Sequence, residues 1–360
     1  MTARLSHAKE RLRSFCERFG LERPVLLGPM AGVSAPALSI AIAEAGGLGA
    51  CGALLLEPAA ILAWAAQVRR ATRGPFQINL WIPDPAPVRD AGQEDAVRRF
   101  LAEWGPEVAR AAGDAVPPDF AAQCEALLEA SPPIVSSVMG LYPAPFVQRL
   151  KSASIAWFAN VSTVAEARAA EAAGADVIVA QGMEAGGHRG CFDATRAESD
   201  MVGLVALVPA VVDAVGIPVV ATGGIADGRG IAAALMLGAS AVQIGTGFLR
   251  CPEAQIPQVW ADALACTAPE GTRVSRVFSG RAGRSIATEY VLAATSSQAP
   301  APAPYPVQRG LTAAMRDAAV RRGDVQRMQA WAGQSAALAR AEAAGPLLES
   351  LWRDALALLG

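Results

Sequence analysis

The sequence predicts an α/β fold: a TIM-like (β/α)8 barrel with a helical insertion after its third strand and a helical C-terminal extension. Three observations predict it. Short β-rich runs alternate with longer Ala-rich stretches of helical spacing, the pattern of parallel βα units. The candidate strands number eight, the count of a closed barrel. Polar and Gly-rich residues gather at the C-terminal ends of those runs, where such barrels place their chemistry. A doubly wound sheet is the structural rival, but it has a single switch point and accounts less well for that spread.

In chain order, Ser6–Phe15 is too charged for a signal peptide and reads as a short amphipathic helix, with His7 solvated on it. The strands are Pro24–Gly28, Leu48–Cys51, Phe76–Trp81, Ile134–Val138, Ile155–Asn160, Asp176–Ala180, Pro218–Ala221 and Ala241–Ile244. Between them, Val164–Ala173 and Gly228–Leu237 show helical spacing and end near Gly174 and Gly238, as helices stopped by glycine do. Residues 82–133 form the insertion, with helices expected over Gln93–Ala112 and Asp119–Ala130. A Pro/Ala-rich loop, Ser296–Pro306, leads into helices near Leu311–Arg322, Asp324–Ala343 and Pro346–Leu359. The domain reading is a barrel over 1–284, insertion included, and an extension over 285–360. That extension is expected to pack over the barrel mouth or to mediate a homodimer.

Composition limits the function. Lys and Arg total 31 against 33 acidic residues, which leaves no electrostatic footprint for nucleic acid or an anionic membrane. No uninterrupted apolar stretch reaches transmembrane length; Leu204–Pro209 is short and broken by its proline. The six cysteines are scattered with no C-x-x-C pair, so the expectation is reduced thiols in a cytoplasmic protein. Cys191, three residues after His188, reads as a bystander.

Two strand ends are rich in glycine: Ala221-Thr-Gly-Gly-Ile-Ala-Asp-Gly228 and Ala239-Ser-Ala-Val-Gln-Ile-Gly-Thr-Gly247. An apolar strand ending in Gly223-Gly224 before a helix start aims free N–H groups at an anion. Two such ends on successive strands favour a phosphate over a mere tight turn. The spacing matches neither a Rossmann fingerprint nor a Walker loop. Asn79, Gln181 and Gln243 lie at or near strand ends, and their amides both donate and accept, which suits the edge of a heterocycle. A planar cofactor with a phosphate tail meets these demands, and FMN fits. The loop Gln181-Gly-Met-Glu-Ala-Gly-Gly-His-Arg-Gly190 then presents His188, the one histidine expected at the mouth. It has no second histidine or cysteine pair at ligand spacing, so no metal is expected. Glu184 is read as serving the loop's own hydrogen bonds.

These residues resemble the nitronate monooxygenases, formerly called 2-nitropropane dioxygenases. Gly28-Pro-Met-Ala-Gly32, the decapeptide 181–190, Ala221–Ile225, Gln243–Thr246, Phe278-Ser-Gly-Arg-Ala-Gly-Arg284 and Trp331-Ala-Gly-Gln334 are similar to that family's motifs, and the decapeptide is specific to it. The resemblance implies non-covalent FMN and no metal. It implies cofactor contacts at Asn79, Gln181, Gly186, Gly224, Gln243, Ile244, Gly245 and Thr246, with His188 catalytic; Met30 and Gly223, at strand ends of the same mouth, are expected to join the cofactor contacts. It implies oxidation of alkyl nitronates such as propionate 3-nitronate by O2 to a carbonyl compound and nitrite. Gly283, where alanine is usual, and the enlarged insertion depart from the pattern.

The nearest competing reading is an NAD(P)H-dependent FMN reductase of a quinone or enoyl thioester on the same barrel. A lyase or synthase of a phosphorylated sugar is more distant, because such sites usually want lysine, which is scarce here. A non-catalytic binding protein has no feature in its favour. Tyr290 and Tyr305 are candidate pocket walls, with core packing the alternative.

Overall fold

The computed structural model describes residues 2–33 and 35–360 and, over residues 2–8, the backbone alone. The reading of His7 as a solvated side chain therefore falls outside the described residues. Eight parallel strands form the barrel: β1 (Val25–Leu27), β2 (Gly49–Gly52), β3 (Phe76–Trp81), β4 (Ile134–Val138), β5 (Ala156–Val161), β6 (Val177–Gln181), β8 (Val219–Thr222) and β9 (Ala241–Ile244). The short β7 (Gly187–His188) and the pair β10 (Thr272–Ser275) and β11 (Gly283–Ile286) make a separate antiparallel sheet. The barrel order is β1-β9-β8-β6-β5-β4-β3-β2, and a parallel bridge between Leu26 and Leu48 closes it. All eight expected strands are present, each within two residues of its expected bounds.

The strands read as near-continuous apolar runs because both faces are buried. One face of the alternation points at the helices: Val25, Leu27, Ile78, Trp157, Ile178, Val242 and Ile244 belong to the core shared with them. The other fills the barrel: Leu26, Leu48, Ile134, Phe158, Val177, Val179, Val220 and Ala241 cluster with Phe15 and Leu21. The helix Thr2–Phe19 thereby plugs the N-terminal end, with the Phe19 ring 5.0 Å from that of Phe158. With one end plugged, the cavity opens at the other.

The interstrand helices start at side-chain caps. Thr163 Oγ1 accepts from Glu166 N at 3.2 Å, and Asp227 Oδ1 accepts from Gly230 N at 3.0 Å. In the insertion the first helix is Ala91–Leu101, shorter than the expected Gln93–Ala112. Gly105-Pro106 and Gly113 break the remainder of that stretch into a turn and a 3-10 segment, Arg110–Asp114. The second helix, Phe120–Ala130, is as expected.

The extension needs one larger correction. Helices cover Val307–Leu311, Ala313–Arg322 and Ala344–Leu359, but none spans 324–343. That stretch is Ala-rich, yet its backbone bonds to other parts of the chain. Ile286 N donates to Ala330 O, Ala332 N to Arg284 O and Gln334 N to Glu184 O. The proposed boundary at residue 284 falls within β11, so a single hydrogen-bonded strand crosses it. Among the described residues no helix is long and apolar enough to cross a membrane.

Candidate active site

A cavity of about 310 Å³ opens at the C-terminal end of the strands. Its floor is polar because the inward face of each strand changes character there. Below lie Ile134, Phe158, Val177 and Val220; two residues further along stand Ser136, Asn160 and Thr222, and on β6 the polar Gln181 follows Val179 by two residues. Asn79 Nδ2 donates to Ser136 Oγ at 3.1 Å. Gln243 Oε1 accepts from the wholly buried Gln77 at 3.1 Å, which fixes its amide with Nε2 as the remaining donor. Asn160 Oδ1 is buried with no hydrogen-bond partner among the described residues. Ten of the eleven sequence-predicted residues line this cavity: Met30, Asn79, Gln181, Gly186, His188, Gly223, Gly224, Gln243, Gly245 and Thr246. Ile244 does not. It follows Gln243 by one, so its side chain faces the helices, and its carbonyl accepts from Gly28 N at 2.8 Å.

The loop after β6 is held from within. Gln181 Nε2 donates to His188 O at 3.1 Å, and Gln181 Oε1 accepts from Gly190 N at 2.7 Å. The side chain thus spans the loop it precedes. Arg189 is buried and donates to Gly182 O at 2.9 Å. Glu184 accepts from Leu204 N at 2.9 and 3.1 Å, capping the helix Leu204–Val212 as a carboxylate at a helix start does. Cys191 is buried and absent from the cavity lining, and burial raises its thiol pKa, which disfavours the thiolate a nucleophile needs.

His188 sits on β7, opposite Gly283 of β11. Its Nε2 lies 2.8 Å from the buried Ser279 Oγ. Trp81 meets it edge-on at 4.8 Å between centroids, and Trp331 lies at the same distance on another side. Burial, then the charges of Arg281 and Arg309, push its pKa down to about 3. The imidazole is therefore neutral throughout the physiological range.

At the ends of β8 and β9 the backbone is bare. Gly223 (φ +112°) and Gly224 (φ +68°) adopt a conformation that side chains disfavour, and the helix Gly228–Met236 begins just beyond. Gly186 is glycine for a different reason. A Cβ there would stand 2.5 Å from Gly333 N and 2.8 Å from Thr246 Oγ1, where the C-terminal segment docks. Gly333 N donates to Thr246 Oγ1 at 3.0 Å, and Ser335 Oγ donates to Gly224 O at 2.5 Å, so that segment covers the glycine end of the cavity.

The rest of the rim was largely unmarked in the sequence. Trp81 ends β3; Tyr305 stacks on it at 4.8 Å and lines the cavity, whereas Tyr290 is core, its hydroxyl donating to Val277 O at 3.1 Å. Arg309, Arg316 and Gln329 reach the lining from the extension. Arg281 is buried behind Trp81 and forms a two-pronged pair with Asp84, at 2.8 and 2.6 Å, which ties the start of the insertion to the segment carrying Ser279. Among the described residues no group of three His, Cys, Asp or Glu side chains is placed to hold a metal.

A family model described as nitronate monooxygenase matches residues 13–354. The nitronate monooxygenase of Paraburkholderia phytofirmans is 38% identical over 348 residues, 95% of this chain and 94% of that protein. That of Pseudomonas aeruginosa is 37% identical, covering 94% and 97%. Among solved structures, nitroalkane oxidase from Streptomyces ansochromogenes superposes with a TM-score of 0.85 at 35% identity, over 94% of this chain and 98% of that one. FabK from Thermotoga maritima superposes at 0.73 with 27% identity, over 96% of each chain.

Proposed function

The chain belongs to the nitronate monooxygenase family, and from that premise we propose that it uses FMN to oxidise alkyl nitronates, such as propionate 3-nitronate, with O2. The products are a carbonyl compound and nitrite. The observation that carries this reading is that His188 faces the same cavity as the two glycine-ended strands. The residues present fit FMN. Gly223, Gly224, Gly245 and Thr246 offer a side-chain-poor end for the phosphate, backed by the start of helix Gly228–Met236. The Gln243 amide and the unpartnered Asn160 Oδ1 offer a donor and an acceptor for the ring edge. Among the described residues no aspartate or glutamate lines the cavity to repel the phosphate, and its volume is that of an ordinary ligand pocket.

FMN, when bound, supplies the electron acceptor that the amino acids lack. The protein's own part is placement, exclusion of water and electrostatics. The apolar faces of Trp81, Trp331 and Tyr305 wall the space beside His188. The uncharged imidazole is a hydrogen-bonding partner for the nitronate oxygens. Its depressed pKa makes it a weak base, which suits a substrate that has already lost its α-proton. With a neutral nitroalkane the same ring must remove that proton. His188→Asn keeps a hydrogen-bonding side chain but no base. It is expected to abolish nitroalkane turnover while part of the nitronate turnover survives; equal loss of both would remove the base role. The test of the reading itself is the visible spectrum of the purified protein with nitrite assayed from several nitronates in air. A flavin band with nitrite release supports it. Rapid anaerobic bleaching by NADH without nitrite would assign the site to the reductase reading.

A further inference from the structure

We propose that Met139 is a specificity-determining residue whose side chain, turned into the cavity by a strained backbone, limits the bulk of the carbon skeleton admitted beside His188. The proposal rests on the nitronate reading above. Four non-glycine residues among the described ones have a positive φ: Ser131, Met139, Ser154 and Gln255. Ser131 and Gln255 are exposed polar residues that end helices, and Ser154 is an exposed polar residue just past one. Helix ends are common places for that conformation. Met139 is the exception. It is apolar, buried and at φ +72°, and it lines the cavity. A side chain of that size in the left-handed region is an outlier that its surroundings must hold in place.

The conformation changes which way the side chain faces. Successive side chains of a strand point to opposite sides. Along β4, Ser136 lines the cavity, whereas Ser137 turns to the helices, where its hydroxyl accepts from Trp157 Nε1 at 3.0 Å. Val138 lines the cavity again, so a regular strand would aim residue 139 at the helices. The ladder stops here: Trp81 opposite Val138 is the last pair with β3, and Ile82 N donates to Val138 O at 2.9 Å just beyond. The positive φ then brings Met139 to the same side as Val138. Met139 packs in one apolar cluster with Trp81 and Tyr305, which stack on each other, and Trp81 meets His188 edge-on at 4.8 Å. A flexible thioether fills irregular space against aromatic rings. Glycine would adopt this backbone without strain, so the methionine gives up stability for a side chain in this wall. The volume it takes is denied to the substrate's carbon skeleton.

The experiment compares the flavin-loaded wild type with Met139→Ala, Met139→Gly and Met139→Leu on ethyl nitronate and on the bulkier cyclohexyl nitronate. Met139→Ala and Met139→Gly are expected to raise kcat/KM for cyclohexyl nitronate relative to ethyl nitronate by about tenfold or more, chiefly through KM, the size of a methylene's discrimination in an apolar pocket. Met139→Leu, close to methionine in volume, should keep the wild-type ratio. An unchanged ratio in the two truncations overturns the proposal, and so does an equal rise in Met139→Leu, which would mean general loosening. Urea unfolding reads the backbone. Met139→Gly sheds the strain that Met139→Ala keeps, so its midpoint should be the higher of the two; an equal or lower midpoint overturns the strained placement. Calorimetric titration of the protein as purified with nitroethane and nitrocyclohexane separates the proposal from the reaction. The Kd for nitrocyclohexane relative to that for nitroethane should fall by about tenfold or more in Met139→Ala. That result sustains the wall even if neither nitronate is oxidised, whereas an unchanged ratio, or no nitrocyclohexane binding to Met139→Ala, overturns it.

Discussion

Asp84→Asn perturbs the contact that fastens the insertion to the candidate active site. The Arg281 side chain is 1% exposed and Asp84 20%, and two short hydrogen bonds of 2.6 and 2.8 Å join them. Opposite charges about 4 Å apart interact by roughly 4 kcal/mol at an effective dielectric of about 20. Removing one charge also leaves the other buried and unpaired, for which losses of about 3–5 kcal/mol are typical. Arg281 Nη1 also reaches Cys191 O at 3.3 Å, so part of the guanidinium stays satisfied and the lower half of that range is expected. Urea unfolding of wild type, Asp84→Asn, Arg281→Met and the double variant gives the coupling directly. Each single variant should lose about 3 kcal/mol, and the double variant should lose much less than their sum. Additive losses, or a loss below about 1 kcal/mol in Asp84→Asn, would refute the reasoning.

Gly186→Ala places a methyl against backbone atoms that cannot rotate away, so it should cost about 1–3 kcal/mol. It should also weaken flavin binding by lifting residues 332–334 off Thr246; unchanged unfolding and unchanged flavin affinity would contradict this. Stability should fall on acidification, with His188 contributing. Its pKa drops from about 6.5 in the unfolded chain to about 3 in the folded one, so between those values the unfolded state binds the extra proton. The contribution is full above pH 6.5 and falls by up to about 1.4 kcal/mol per pH unit below it. The difference between wild type and His188→Asn in urea unfolding at pH 7 and pH 5 should thus be about 2 kcal/mol, and equal pH slopes would contradict it.

The barrel was legible because its strands are buried on both faces, so each reads as an unbroken apolar run. The glycine-ended strands were legible because bare backbone at a strand end has few other uses. Segment 324–343 was misread as helix because alanine favours a helix locally, while its N–H groups at Ala332 and Gln334 donate to Arg284 and Glu184, far away in sequence. Ile244 was included because the resemblance implied contacts along the whole run Gln243–Thr246; the two-residue period of a strand assigns its side chain to the face opposite Gln243. Gln181 lines the cavity as expected, but both ends of its amide are engaged by the loop backbone, a use that its position in the sequence did not reveal. The pairing of Asp84 with Arg281 spans 197 residues and left no local trace.

The central claim is that the glycine-ended strands hold a flavin phosphate while the ring of that flavin meets His188. A crystal structure of the flavin-loaded protein tests it most directly. The account predicts the phosphate against Gly223, Gly224, Gly245 and Thr246, with the ring face toward the imidazole between Trp81 and Trp331. A phosphate seated on Arg309 and Arg316, or a ring turned away from His188, would contradict it.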